Sequence, residues 1–300
     1  MKRIFVHGIG AVSPAGWDVG SLRQALDSGA PLPTVPRERP GWKRPLQTRR
    51  VAKPIPKLAF LAHARLRRTS PMSLYAAAAA MEALQCVGQS REAGHRLGII
   101  FCVTAGCVQY SRRFYDEAWR NPATASPLLF PETVFNAPSS HLSAILESPC
   151  VNYTLVGDPG TFLQALALAS GWLTNDRIDS CLVVGAEELD WLTADAYRHF
   201  SRGIACGEGA GAVYLSCEQP KASPAAELIA ITNPRLYLNG MSRLQAIREI
   251  RDELPVPGGG AVLCDSLAGW PARDRAEIEA WLDWQGARLS PKRVSKARSR

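Results

Sequence analysis

The residues that could supply a nucleophile, a metal ligand or a general base are eight cysteines and five histidines. The cysteines form no CxxC pair and the histidines lack HExxH spacing, so neither a zinc site nor a redox motif is indicated. Most cysteines lie within apolar runs such as 99–103, which predicts buried, reduced thiols. His141 is the least ordinary histidine, because it follows a run that contains Asn136-Ala137-Pro138. Spacing alone identifies no catalytic set, and we expect neither a metal nor a cofactor.

Two glycine-rich turns could in principle hold a phosphate group. The first, Gly8 to Gly16, follows a predicted strand, but Pro14 stands where a phosphate-binding helix should begin. The second, Gly207 to Gly211, leads into a strand instead of a helix. Both turns therefore favour close backbone approach between packed layers over nucleotide binding.

Positive charge is concentrated in two parts of the chain. Residues 36–70 carry eleven Lys or Arg against one acidic residue, and residues 291–300 carry five more, although the net charge of the whole chain is +8. This asymmetry indicates an acidic partner, with a solvated basic face and a frayed tail as the alternative. Nucleic acid is not favoured as that partner, because no aromatic residues are interleaved with the basic ones of the tail.

The distribution of apolar residues indicates a folded α/β chain. With 46% hydrophobic and 21% charged residues, the sequence can bury a sizeable core. No apolar run reaches the roughly 18–20 residues that a membrane span requires. The short apolar start runs directly into Gly8-Ile9-Gly10, which favours a first strand over a signal peptide. We expect a cytoplasmic protein with no membrane span.

Apolar runs of strand type alternate with amphipathic stretches, which predicts a layered α/β architecture. The predicted strands are Arg3–His7, Leu97–Val103, Ser180–Val184, Gly211–Leu215, Ala226–Thr232 and Ala261–Cys264. The predicted helices are Val19–Leu26, Ser73–Leu84, Thr161–Leu173, Ser242–Leu254 and Arg273–Gln285. The segment Pro31–Pro56 is rich in proline and arginine and is predicted to be a loop or an extended excursion.

In their order along the chain, five segments resemble the motifs of β-ketoacyl-acyl carrier protein synthases. They are Gly8-Ile9-Gly10-Ala11-Val12-Ser13-Pro14-Ala15-Gly16, the Ala-rich helix Ser73–Leu84, Asn136-Ala137-Pro138, Cys181-Leu182-Val183-Val184-Gly185-Ala186-Glu187-Glu188 and Gly207-Glu208-Gly209-Ala210-Gly211. The resemblance implies an α/β thiolase-like fold of layered α/β/α/β/α type, with the C-terminal half truncated because the usual family chain is longer. It implies a ketosynthase N-terminal-type domain at 1–220, a partial C-terminal half at 221–289 and a basic mobile tail at 290–300.

The resemblance also identifies where the catalytic nucleophile should lie. In that family a cysteine at a helix N-terminus takes the acyl chain as a thioester. Counting back from the helix at 161–173 places this cysteine at Pro159, whereas counting forward from Pro149 places it at Gly157. Asp158 lies between them, and a carboxylate is a poor acyl acceptor. Gly157, Asp158 and Pro159 therefore mark a degenerate nucleophile position.

Two histidines complete the family's chemistry, because they assist decarboxylation and stabilise the enolate. The first opens a motif whose Pro, Asp and Glu match Pro271, Asp274 and Glu277, which places the histidine position at Ser266. Serine cannot supply an imidazole that titrates near neutrality. The second histidine should follow residue 300. By this alignment the catalytic cysteine and the first catalytic histidine are both replaced. Whether the chain is an enzyme therefore stays open.

A replaced cysteine within a family scaffold resembles the chain length factor subunits of type II polyketide and aryl polyene systems. The resemblance implies a non-catalytic partner of an active ketosynthase in fatty acid or polyketide biosynthesis, which forms a heterodimer with that subunit and meets acyl carrier protein. A scaffold protein, a truncated inactive product and an active synthase with an atypical site are the alternatives.

Two groups of residues follow from this interpretation. The residues predicted at the partner's acyl tunnel or at the two-fold interface are Val108, Tyr110, Phe114 and Asn136. A core helix would explain the same side chains. The residues predicted to dock the acidic carrier protein are Arg65, Arg67 and Arg68.

Overall fold

The computed structural model describes residues 2–85, 94–147, 149, 151–158, 160–200, 205–220, 226–267 and 271–289. Contacts between residues divide the chain into two compact units. The first unit comprises residues 1–27 and 32–229, and the second comprises residues 28–31 and 230–300. The predicted basic tail at 290–300 lies outside the described residues.

The first unit contains the following elements. Its strands are β1 (Phe5–Val12), β2 (Val35–Arg37), β3 (Leu46–Arg49), β4 (Leu97–Val103), β5 (Val151–Val156), β6 (Ser180–Glu187), β7 (Cys206–Gly207), β8 (Gly209–Ser216) and β9 (Ala226–Glu227). Its helices are α1 (Val19–Ser28), which ends at the boundary of the unit, α2 (Pro71–Gln85), α3 (Val108–Arg120), α4 (Ala137–Ile145), α5 (Thr161–Thr174) and α6 (Trp191–Phe200). Short 3-10 turns lie at 59–62, 64–66, 122–124 and 130–132.

Six of these strands form one mixed sheet in the order β5-β4-β6-β8-β1-β9. β4 runs parallel to both β5 and β6, whereas β8 is antiparallel to β6 and β1. The four strands predicted at 3–7, 97–103, 180–184 and 211–215 all lie in this sheet, which confirms the predicted α/β core. The strand predicted at Ala226–Thr232 is reduced to the two residues of β9.

The central strands are buried on both faces, as near-continuous apolar runs predict. Along β4 the side chains alternate, so that Ile99, Phe101 and Val103 face a cluster formed with α2 and α4. Ile100 and Cys102 face the opposite cluster, formed with α5. The sheet therefore lies between two helical layers, and α5 begins at the carboxyl edge where β4, β5 and β6 end.

The alanine-rich sequence of α2 is explained by its close approach to β1. A Cβ atom at Gly10 would lie 1.9 Å from the carbonyl oxygen of Ala79, so only glycine fits at this point of the strand. Ala76, Ala79 and Ala80 are fully buried at the same contact. Small residues on both elements thus let the helix backbone rest directly on the sheet.

The segment predicted as a loop at Pro31–Pro56 contains two short strands. β2 pairs antiparallel with β3, and β3 pairs parallel with β7. Leu46 and Thr48 alternate inward and are buried. The prediction was a loop or an extended excursion, and for these residues the backbone is extended. A few inward side chains suffice to hold a three-stranded sheet that proline and arginine content does not reveal.

The second unit contains α7 (Gly240–Glu253), β10 (Val262–Cys264), α8 (Pro271–Ala280) and β11 (Ala287–Leu289). α7 begins with a capping box between Asn239 and Ser242. α7 and α8 pack through Leu244, Ala276 and Ala280, and β10 pairs parallel with β11. Of the helices in the described parts of both units, none combines the length and apolar character that a membrane crossing requires.

Candidate functional site

Gly157 and Asp158, two residues of the predicted nucleophile position, lie in the turn that joins β5 to α5. Asp158 closes this turn, because its Oδ1 accepts a hydrogen bond from the Gly160 amide at 2.8 Å and its carbonyl accepts one from the Thr161 amide at 2.9 Å. A helix N-terminus favours a negative charge. The turn before α5 thus holds a carboxylate that binds the amide of Gly160, the residue preceding the helix, where the resemblance requires a thiolate.

Gly157 has no room for a side chain in this arrangement. A Cβ atom there would lie 2.4 Å from the hydroxyl oxygen of Thr161. The Gly157 amide also donates to the carbonyl of Val103, at 3.1 Å, which fixes the turn against the end of β4. A cysteine at 157 would thus require Thr161 to move. Pro159, the other predicted nucleophile position, lies outside the described residues.

The thiol that reaches the first turn of α5 is Cys102, which comes from β4. Its Sγ donates to the Thr161 carbonyl at 3.7 Å. Burial raises the pKa of Cys102 to about 12, and burial likewise raises the pKa of Cys107 to about 12 and that of Cys181. A thiolate is the nucleophilic form. These three cysteines are therefore protonated, inert core residues at neutral pH.

Two consecutive glutamates at the end of β6 hold the loops that surround the turn. Glu187 accepts from the amides of Thr104 and Ala105. Burial raises the pKa of Glu187, and these two amides act in the opposite direction. These two hydrogen bonds thus fix the chain just beyond β4, the strand that pairs with β5.

Glu188 links the beginnings of two helices. Its carboxylate accepts from the Gln109 amide of α3 at 2.7 Å and from the Met72 amide of α2 at 3.3 Å. Its side chain is buried, and burial raises its pKa to about 7 against the stabilising effect of the two amides. One carboxylate therefore caps two helix N-termini at once.

Glu208, the glutamate of the Gly207–Gly211 motif, accepts hydrogen bonds from three separate segments of the first unit. The Glu208 carboxylate accepts from the amides of Val51 and Leu189, both at 3.1 Å, and from the hydroxyl of Tyr75 at 3.0 Å. Burial, together with the charge of Glu208, raises the pKa of Tyr75. The motif holds the loop after β3, the helix α2 and the chain after β6 together, and the structure gives it a packing role.

His141 forms a partly buried pair with Glu132. Its Nε2 lies 2.6 Å from Glu132 Oε1, and Glu132 Oε2 accepts from the Ser70 amide at 3.3 Å. Nearby, Asn136 precedes α4, and its carbonyl accepts from the Ser139 hydroxyl at 2.9 Å. The run 130–142 that singles out this part of the sequence thus joins α4 to the start of α2. Within the described part of the chain, no group of three or more metal-ligating side chains has the geometry of a metal site.

Three of the predicted tunnel residues lie on α3. Val108, Tyr110 and Phe114 are each half-buried, and Tyr110 and Phe114 share a face because they are four residues apart. The Tyr110 hydroxyl donates to the Arg68 carbonyl at 2.9 Å, and the Phe114 ring lies 5.5 Å from that of Phe130. These side chains lie on a helix, as the core-helix alternative requires. Their role at an acyl tunnel stays a prediction.

Exposed apolar side chains follow the free edge of the main sheet. β5 pairs with β4 on one side, and in the described residues no strand pairs with its other side. Val151 is 50% exposed, and Tyr153 and Val156 are each 52% exposed. An unpaired edge with apolar side chains is a surface that another chain can cover.

One of the predicted docking arginines, Arg67, lines a small groove. Arg65, Arg67 and Arg68 are all exposed, just before α2. The groove has a volume of about 440 Å³. It is lined by Lys57, Leu61, Ala62, Leu66, Arg67 and Leu74. This surface combines leucine side chains with positive charge at its rim.

In the second unit, Ser266 is tied to Glu277. The Ser266 amide donates to Glu277 Oε1 at 2.7 Å, and its hydroxyl donates to the other carboxylate oxygen. The residue at the predicted histidine position is thus a neutral hydroxyl whose proton is already engaged.

Comparisons with known proteins agree with this architecture. The family model "Beta-ketoacyl synthase, N-terminal domain" matches residues 1–220. No curated protein matches the chain by sequence. Among solved structures, the ishigamide ketosynthase/chain length factor superposes with a TM-score of 0.71 at 19% identity, over 94% of this chain and 81% of that chain.

Two further structures are similar. A β-ketoacyl synthase from Burkholderia phymatum gives a TM-score of 0.71 at 17% identity, over 93% of this chain and 78% of its own. A type II PKS acyl-carrier protein in complex with its ketosynthase gives 0.69 at 16% identity, over 97% of this chain and 85% of that chain. At these identities the likeness establishes the ketosynthase, thiolase-like fold.

Proposed function

This chain belongs to the β-ketoacyl synthase family, and we propose that within it the chain is a non-condensing subunit of chain-length-factor type, which pairs with an active β-ketoacyl-acyl carrier protein synthase. The pathway would be fatty acid or polyketide biosynthesis, with aryl polyene formation as one possibility. The proposal assigns no bond-making step to this chain.

The observation that carries the proposal is the carboxylate at the start of α5. Acyl transfer needs a nucleophile whose anion is stabilised by the helix N-terminus and which then forms a thioester. Here the turn before α5 contains no cysteine, and the Asp158 carboxylate accepts a 2.8 Å hydrogen bond from the amide of Gly160, the residue that precedes the helix. The adjacent Gly157 cannot hold a side chain while Thr161 keeps its position.

The remaining groups support the same conclusion. Cys102, which contacts α5, has a pKa raised to about 12 by burial and is a poor nucleophile at neutral pH. Ser266, at the family's histidine position, donates its hydroxyl proton to Glu277. Neither group can activate a thioester or stabilise an enolate as an imidazole does.

Two surfaces support a partner role. The exposed edge of β5 offers unpaired backbone groups and apolar side chains to a second subunit. The groove beside Arg65, Arg67 and Arg68 offers leucine contacts within a positive rim, which suits an acidic carrier protein. We propose a heterodimer with the active ketosynthase at the first surface and carrier docking at the second.

The test is acyl transfer by the purified chain alone. Incubated with acyl- and malonyl-carrier protein, it should acquire no thioester-linked acyl group and release no carbon dioxide, whereas an active ketosynthase treated in parallel should do both. Stable acyl labelling mapped to residues 157–160 would overturn the proposal. Purification from the native host should also yield a stoichiometric active ketosynthase, and its absence would contradict the partner role.

A further inference from the structure

An open cleft lies on the first unit, and none of its lining residues belongs to the α5 turn. Its volume is about 1020 Å³, at the upper end of the roughly 300–1,000 Å³ of small-molecule sites. It is lined by Pro36, Arg37, Glu38, Arg39, Pro40, Gly41, Trp42, Lys43, Pro45, Arg112 and Trp191. We call it the Arg/Trp cleft, and none of the roles proposed above uses it.

Four cationic side chains and one carboxylate, that of Glu38, line this cleft. Arg37 and Arg112 share one fully buried carboxylate, that of Asp190, with contacts of 3.3 Å and 3.0 Å. Arg112 also pairs with Asp116 at 3.1 Å, but that carboxylate is about half exposed and such pairs contribute little. Lys43 makes no ion pair within the described residues. Lys43 is therefore the lining cation that remains available to an anionic ligand, and Glu38 is the one opposing charge of the lining.

Arg39 has a donor that the described part of the protein does not satisfy. The residue is only 6% exposed, and its guanidinium pairs with Asp195 and lies 3.6 Å from the centre of the Trp42 ring. Its Nε is buried and has no hydrogen-bond partner among the described residues. A buried polar group without a partner is costly, so an acceptor on a bound ligand would stabilise this arrangement.

The cleft also presents two indole rings. Trp42 is 65% exposed although Arg39 lies against it, and Trp191 is half-buried on α6. Exposed indole faces bind planar rings by stacking, and guanidinium groups bind phosphate through paired donors. We propose that the Arg/Trp cleft binds a nucleotide-type anion, meaning a ligand with a planar ring and at least one phosphate group.

Direct binding to the intact chain tests this proposal. Titration with ADP in magnesium-free buffer, followed by calorimetry and tryptophan fluorescence, should show saturable binding at one site. Trp42→Leu should weaken ADP binding about tenfold through the lost stacking, and Lys43→Gln should weaken it roughly fivefold through the lost charge. Pyrophosphate, which lacks the ring, should bind roughly tenfold more weakly than ADP.

Matched variants outside the cleft separate these effects from general ones. Lys53→Gln removes one exposed lysine and Trp119→Leu one exposed indole, and neither should alter ADP affinity. Arg39→Lys keeps the charge but removes the Nε donor, and its loss of affinity should exceed that of Lys53→Gln. If Arg39→Lys fails to fold, the exposed Trp42 and Lys43 variants still decide the question.

Three results would overturn the proposal. One is the absence of saturable ADP binding to the native chain. Another is ADP affinity that is unchanged in both Trp42→Leu and Lys43→Gln, which would place the ligand elsewhere. The third is equal affinity for pyrophosphate and ADP, or displacement of ADP by an acidic peptide that binds more tightly, because either would assign the cleft to another class of ligand.

Discussion

At the scale of single residues, Glu188 has the most unusual environment of the described carboxylates. Burial raises its pKa from 4.5 to about 7 although it accepts two amide hydrogen bonds. The protonated form is therefore favoured in the folded state relative to the unfolded state. The associated stability is fully present below about pH 4.5 and is lost as the pH rises through about 7.

This linkage gives the first prediction. Between pH 4.5 and pH 7 the Glu188 contribution to the free energy of unfolding should fall by on the order of 3 kcal/mol. Glu188→Gln, which cannot ionise, should flatten this part of the pH profile in urea denaturation. Glu218→Gln, at an exposed position, should retain the fall. A profile that is identical for the native chain and Glu188→Gln would contradict the assignment.

The sequence could locate Glu187 and Glu188, but it could not predict their hydrogen-bond partners or their protonation. Motif order placed Glu187 and Glu188 at a strand end, which is where they lie. The pairing of Glu188 with amides from α2 and α3 depends on contacts between residues about eighty or more positions apart, which no local pattern encodes. The nucleophile position stayed ambiguous between Gly157 and Pro159 because alignment alone cannot show that Thr161 fills the space at 157.

At the scale of elements, the contact between α2 and β1 determines how closely helix and sheet approach. Gly10→Ala should lower the free energy of unfolding by at least about 3 kcal/mol, because the added Cβ would meet backbone at 1.9 Å and not a movable side chain. Gly211→Ala is the matched control on β8, where a Cβ would meet nothing within 4 Å. Chemical denaturation should therefore separate the two variants clearly. Equal stabilities would refute the close approach.

Element prediction succeeded for the long apolar runs of the main sheet and its packed helices, and it failed for several shorter or more polar elements. β4, β6, β8, α2 and α5 were predicted because their apolar runs are long and continuous. α3, α4 and α6 were missed. α3 carries five charged residues in thirteen and none of its residues is fully buried, so it lacks the continuous apolar run that marks α2 and α5. The strands β2 and β3 were missed because they are only three and four residues long.

The next prediction concerns α3 and the length of the acyl product that the proposed partner makes. If Tyr110 or Phe114 closes the acyl tunnel of the proposed partner, Tyr110→Ala or Phe114→Ala should lengthen the partner's product and leave its thioester formation unchanged. Either change could also lower the free energy of unfolding by about 3 kcal/mol through the cavity it leaves. Folding and partner binding must therefore be measured in the same samples. An unaltered product from a folded, partner-bound variant would remove α3 from the tunnel.

At the scale of the whole molecule, the basic segment before α2 should control carrier encounter. Reversing Arg65, Arg67 and Arg68 to glutamate should weaken carrier-protein binding at least about tenfold at low salt and reduce its dependence on ionic strength. The control reverses Arg23, Arg177 and Arg198, which are exposed elsewhere on the first unit and give the same change in net charge. Equal binding by the two triple variants would show that the segment is only a solvated face.

The edge of the main sheet carries the last prediction, which concerns assembly. β5 is six residues long, its outer backbone groups are unpaired in the described structure, and Val151 and Tyr153 are half exposed. Such an edge is normally protected by charge, by proline or by another chain, and β5 has neither a charged residue nor a proline. A second subunit that covers it would bury both side chains near the centre of the contact.

Replacing Val151 and Tyr153 by lysine should therefore weaken association with the active ketosynthase at least about a hundredfold, because two desolvated charges would oppose the contact. The matched control replaces Leu26 on α1 and Val35 on β2, which are similarly exposed. Sedimentation of the mixed subunits would report the heterodimer, and thermal unfolding would confirm that each variant is folded. Because lysine at an exposed edge costs a lone chain little, a folded variant that still pairs normally would exclude β5 from the interface.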